Sequence, residues 1–159
     1  MINLCRDNGG LSLIELIVTL TILAILASAV LPSVRMTGQR MKEVELKRNL
    51  RVMRSAIDEV KKNSDKVPIP PTKSGYPESL EQLVEGVEFG DVAKREKKKF
   101  LRRIPIDPFH PQMADGKPEW GLRSYSDKPD STIWGGDDVF DVYSLSEGTA
   151  IDGTKYKDW

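Results

Sequence analysis

Between Leu11 and Leu31 the chain reads LSLIELIVTLTILAILASAVL, and its only charged residue is Glu15. No other stretch limits the fold as severely. As a helix this run is about 30 Å long, the thickness of a bilayer core. A buried core helix is the competing reading. The rest of the chain is too polar to hide such a segment, because 30% of all residues are charged and only 39% are apolar. The run therefore reads as a membrane-inserting helix.

Composition removes most enzymatic readings. Basic and acidic residues number 24 each, so a purely electrostatic nucleic-acid binder is disfavoured. A single cysteine excludes a disulfide framework within the chain and a multi-cysteine zinc site. A single histidine excludes His-His metal pairs. No phosphate loop, nucleophile elbow or dinucleotide fingerprint is present, and His110, between Phe109 and Pro111, reads as a loop residue. The chain is not expected to be a catalyst.

The flanks of the apolar run say what kind of membrane helix it is. The polar leader MINLCRDNGG precedes it, with the small residues Gly9 and Gly10 before the helix. A secretory signal peptide places its small-residue cleavage site after the apolar run. Cleavage after Gly10 would instead keep the helix and make Leu11 the new N-terminus. Arg35, Arg40 and Lys42 lie beyond the far end, so the positive-inside rule alone would put that side in the cytoplasm.

GG-LSLIEL, the apolar run and then Pro32 resemble the class III signal and N-terminal helix of type IV pilins and type II secretion pseudopilins. The resemblance implies cleavage after Gly10 by a prepilin peptidase on the cytoplasmic face, followed by N-methylation of Leu11. Leu11 stands where the family usually has Phe, and Gly9 where it has a basic residue. Glu15 matches the family's acidic fifth mature position, and Pro32 matches its proline. By the same resemblance, the C-terminal domain lies in the periplasm and the chain is anchored in the inner membrane.

A carboxylate inside a membrane helix costs on the order of 2–4 kcal/mol, less near the headgroups. Once helices bundle away from water it needs a partner. The resemblance supplies one, the freed amino group of Leu11 in a neighbouring copy. Such a pair at about 4 Å gains about 4 kcal/mol at an effective dielectric near 20, much of it offset by desolvation. What survives is registry, since an axially offset neighbour satisfies Glu15 and a flush one leaves like charges level. Thr19, Thr21, Ala24, Ala27, Ser28 and Ala29 are small enough for close helix approach. Pro32 removes a helical hydrogen bond and is expected to kink or locally open the helix.

Beyond Pro32 the apolar residues become periodic. Leu46, Leu50, Met53, Ile57 and Val60 form one helical stripe, to which Met41 is added one turn earlier. This stripe is expected to be core. Glu43 and Lys47 are a candidate supporting pair. NSDKVPIPPTKSG breaks the helix, and PESLEQLVEG reads as a short helix ended by Gly86. Val87 to Asp91 reads as a turn. Lys94, Arg95, Lys97, Lys98, Lys99, Arg102 and Arg103 face only Glu96 in the next segment. It reads as a solvated helix face or a contact with an acidic neighbour, rather than as a nucleic-acid site, because only Phe100 is there to stack on bases. EWGLRSYSD and DDVFDVYSL read as two antiparallel strands, with Trp120, Leu122 and Ser124 alternating in one and Phe140, Val142 and Ser144 in the other. The tail is expected to wrap back, with Trp159 as an anchor.

The order of helix, loop, RIPIDP, WG…SY, DVYS and an Asp/Gly tail is similar to the G-type major pseudopilin of type II secretion. That family is α+β, a long N-terminal helix packed on a small antiparallel sheet. The expected divisions are a leader at 1–10, an apolar filament-core helix at 11–33, an amphipathic helix at 34–63 and a C-terminal domain at 64–159. The resemblance also implies Ca²⁺ in the loop after the DVYS strand, with Asp141, Glu147, Asp152 and Asp158 as candidate ligands. The other reading of that loop is a solvated acidic segment held by Tyr156 and Trp159. The implied function is a structural subunit of a periplasmic pseudopilus that drives protein export. Its implied partners are copies of itself, the prepilin peptidase, minor pseudopilins, an inner-membrane assembly platform and the membrane, with no nucleic acid. A major or minor type IV pilin of a surface or DNA-uptake pilus is the alternative. A monotopic binding protein that never polymerises is a third reading, and it leaves Glu15 without a use.

Overall fold

A computed structural model of the chain describes residues 12–67, 70–90, 96–110 and 116–159, without the side chains of residues 29–35 and 96. The long helix α1 covers Leu13–Ser64 and is helical through Pro32 and Gly38. A short helix α2 follows at Leu80–Glu85. Strands β1 (Val87–Phe89) and β2 (Glu96–Lys98) pair antiparallel, with Glu88 opposite Lys97. Strands β3 (Gly121–Arg123) and β4 (Asp141–Tyr143) form a second antiparallel pair, with Leu122 opposite Val142. A 3-10 turn at Tyr156–Asp158 ends the order. The fold is α+β, a long N-terminal helix packed against small antiparallel sheets, as the sequence implied.

The chain divides into two units, Met1–Gln39 and Arg40–Trp159. In the first, the described residues are the start of α1. Its apolar side chains are bare, from 47% exposed at Leu16 to 77% at Leu13. Three hydroxyls there turn inward on their own helix. Thr19 donates to the Leu16 carbonyl, Thr21 to Ile17 and Ser28 to Ile25, at 2.7–2.9 Å. These bonds satisfy the hydroxyls without water, as a helix in an apolar medium requires. Among the described residues no helix is long and apolar enough to cross a membrane. The described side chains of the apolar run stop at Ser28, short of the roughly 20 residues that span a bilayer.

In the second unit the predicted stripe is the core. Leu46, Leu50, Met53, Ile57 and Val60 are all buried. Leu80 and Leu83 of α2, Val87 and Phe89 of β1, Trp120, Val139, Val142, Ala150 and Tyr156 close over them. Each such side chain removed from water contributes roughly 1.5–3 kcal/mol. Met41 is not part of the stripe and is 70% exposed. It lies five positions before Leu46, which turns it about 140° away from the buried face.

The basic segment departs from its expected form. Val87–Phe89 is a strand and not a turn; Lys97 and Lys98 lie on strand β2, Lys99, Arg102 and Arg103 follow it outside any helix, and Lys94 and Arg95 lie outside the described residues. Propensity did not decide this. The amides of Phe100 and Leu101 both donate to the Leu83 carbonyl at 2.9 Å, and Phe89 meets Phe100 edge-on. These contacts dock the hairpin on α2. Helix α2 starts at Leu80 rather than Pro77, and Gly86 stops it with a φ of 112°. The alternation expected around β4 also fails at Phe140, which is half-exposed against Tyr76 and Tyr125 while Tyr143 is buried.

Candidate functional site

Two places in the chain carry the residues singled out from the sequence. The first is the start of α1. Gly10 and Leu11 lie outside the described residues. Glu15 sits in the first turn of α1 and is exposed among bare leucines and isoleucines. An acid in the first turn is favoured by the helix dipole, which lowers the cost of its apolar surroundings. The backbone of α1 passes through Pro32 as helix.

The second place is the C-terminal tail, where calcium ligation was expected. Here the four acids have different occupations. Asp141 is taken by two arginines, Arg54 Nε at 2.7 Å and Arg123 Nη1 at 3.4 Å. Asp152 closes its own turn, with Oδ1 accepting from the Thr154 amide at 3.0 Å and the Thr154 hydroxyl at 2.6 Å. Those two bonds hold the Asp152 carboxyl below its ordinary pKa of 3.8. Glu147 is exposed, and Asp158 lies in the 3-10 turn. Among the described residues no three His, Cys, Asp or Glu side chains converge on a metal-sized site. Calcium takes six to eight oxygens, roughly. A set with one member neutralised by two guanidiniums and another spent on a hydroxyl and an amide does not fit it.

The tail is instead held by side chains of α1. Glu43 Oε1 accepts from the Ile151 amide at 2.9 Å and from the Tyr156 hydroxyl at 3.0 Å. Tyr156 is buried, stacks on Phe109 at 4.1 Å and meets Trp159 edge-on at 5.2 Å. The Lys47 ammonium lies 4.0 Å from the Trp159 ring centre, and Trp159 Nε1 donates to the Thr154 hydroxyl. Arg54 Nη2 donates to the carbonyls of Val142 and Trp159 at 3.0 and 2.9 Å. Glu43, Lys47 and Arg54 follow one side of α1 at steps of four and seven, so a single helix row grips the tail. Glu43 was read as a partner of Lys47 within the helix. Its use for the tail, and the role of Arg54, were missed, because their partners lie 87 to 113 residues away. Trp159 is the anchor expected, with Tyr156 more deeply buried beside it.

His110 does have a partner. Its Nε2 is 3.3 Å from Glu119. It remains a loop residue with no nucleophile described beside it.

The N-terminal region, residues 5–31, matches the model of the prokaryotic N-terminal methylation motif. The type II secretion system core protein G of Pseudomonas aeruginosa is 31% identical over 105 residues, which cover 65% of this chain and 70% of that protein. The chain belongs to the core protein G family. That family is one of structural, pilin-like subunits, so the chain is a G-type pseudopilin, related to subunits of a secretion pseudopilus. No solved structure matches the chain.

Proposed function

We propose that this G-type pseudopilin is a repeating subunit of a periplasmic filament that drives protein export by type II secretion. The observation that carries the proposal is the bare apolar start of α1 with Glu15 set in it, on a chain that matches core protein G. A helix this apolar has two stable environments, a bilayer and a bundle of its own kind. Before assembly it anchors the subunit in the inner membrane, with Arg40–Trp159 on the periplasmic side. The prepilin peptidase cuts after Gly10 and methylates Leu11. In the filament, Glu15 pairs with the amino group of Leu11 in an offset neighbour, which sets the stagger. Pro32 lacks the amide to close its helical turn, so α1 can extend there as the subunit leaves the bilayer. Energy comes from an ATPase elsewhere in the machine, and minor pseudopilins and an inner-membrane platform complete the assembly.

The direct test is Gly10→Val in a strain carrying the secretion genes. The mass of the purified protein should then retain the leader and lack the methyl group, and export should stop. Normal maturation of that variant would refute the cleavage site. Normal export with an uncut leader would refute the filament.

A further inference from the structure

The stretch from Asp141 to Trp159 is neutralised by side chains of the chain itself. It carries four acids and two lysines, and the side chains that reach it from outside, Glu43, Lys47, Arg54 and Arg123, bring the count to five of each sign. A divalent ion would add two charges to a balanced set and would have to compete with two arginines for Asp141.

The turn that closes the tail is built from hydrogen bonds. The Ala150 amide donates to the Thr154 carbonyl at 2.8 Å, and the Gly153 amide donates to the Ala150 carbonyl at 2.9 Å. Gly153 has a φ of 87°, which glycine adopts without strain. From Asp152 the bonds run outward in one line. Its carboxylate accepts from the Thr154 hydroxyl at 2.6 Å, and that hydroxyl accepts from Trp159 Nε1 at 2.7 Å. The line ends on the Trp159 ring, and the Lys47 ammonium stands 4.0 Å from the centre of that ring.

An indole whose N–H donates toward a carboxylate has its ring face made more negative, and a cation over the face is the complement. Lys47 forms no ion pair among the described residues, so the ring is where its charge acts. It also acts on Asp152 through space. After the two bonds from Thr154, the Lys47 charge helps to hold that carboxyl below 3.8.

We propose that Lys47 is a tethered cation that does for this tail what the resemblance assigned to Ca²⁺. Helix α1 supplies the positive charge, so the tail closes at any calcium level. The consequence for assembly rests on the filament reading above: subunits polymerise without calcium.

The test digests the full chain in detergent with a lysine-specific protease that needs no calcium. Release of the C-terminal fragments cut after Lys155 and Lys157 is timed by mass. The parent should be cut at the same rate in EDTA and in millimolar calcium. Lys47→Met should be cut about twofold to fivefold faster in both media, the weight of a cation over an aromatic ring at an exposed site. Lys47→Arg keeps a cation over the ring and should match the parent. Lys47 is exposed, so neither substitution disturbs the core, and the circular dichroism of Trp120 should stay parental in both. A parental rate in Lys47→Met, a rate in Lys47→Arg as fast as in Lys47→Met, or protection of either protein by calcium would overturn the role of Lys47. In cells that carry the secretion genes, a calcium-selective chelator should leave the sheared filament yield of the parent unchanged. Loss of filaments on chelation would overturn the calcium independence of assembly. A processed parent that never polymerises in either medium would refute the filament reading, while the digestion would still decide what Lys47 does.

Discussion

Replacing Arg54 by methionine removes the guanidinium that joins α1, β4 and the tail, while keeping most of the packed stem. The side chain donates to Asp141 twice, at 2.7 and 3.4 Å, and to the carbonyls of Val142 and Trp159. Buried hydrogen bonds to charged groups contribute about 1.5–3 kcal/mol, and exposed ion pairs only 0.2–1 kcal/mol, roughly. Arg54 and Asp141 lie between these limits, with side chains 38% and 24% exposed. Arg123 Nη1, at 3.4 Å, stays with Asp141 and limits the damage. The two carbonyls return to water at small cost. A net loss of about 2 kcal/mol follows, which lowers the melting temperature of a domain this size by about 5–10 °C. Near-ultraviolet circular dichroism of the full chain in detergent would follow the tertiary environment of Trp120 and Trp159. Because the grip comes from side chains, EDTA should leave the melt of the parent chain unchanged. A shift below about 2 °C for Arg54→Met would refute the clamp. A fall with EDTA that calcium reverses would show that a metal holds the tail.

Two further outcomes follow from local geometry. Gly121→Ala would drive a methyl group into the Tyr143 ring, so the ring must move, and a loss of about 1–3 kcal/mol in urea unfolding is expected. Asp152 is held below 3.8 in the folded chain by Thr154, so its contribution is present above that pH and is lost as pH falls through the lower folded value. Acid titration should therefore release the tail, read by Trp159 fluorescence, and Thr154→Val should move that release to higher pH; identical titrations would contradict the assignment.

What the sequence made legible was local. The stripe from Leu46 to Val60 repeats at helical spacing, so its burial follows from period alone. The β3–β4 pair was readable from its aromatic and β-branched residues. The methylation-type segment was readable because Gly10, Glu15 and Pro32 stand at fixed distances around an uninterrupted apolar run. The failures were long-range. Nothing within EKKKF marks a strand, because its alternation is masked by lysines and its partner strand is supplied by Val87–Phe89. Glu43 shows its neighbour Lys47 to a reader of the sequence, whereas its partners Ile151 and Tyr156 are set by the fold of the whole second unit. The acids of the tail look alike in the sequence, and only packing reveals that Asp141 belongs to arginines and Asp152 to Thr154.

We propose that Glu15 is paired by another copy in the filament. Filament yield and cargo export from Glu15→Ala, measured beside the mass of the processed subunit, test it most directly. The variant should insert, lose its leader and carry its methyl group as the parent does, yet give few filaments and little export. Parental filaments and export from correctly processed Glu15→Ala would contradict the pairing.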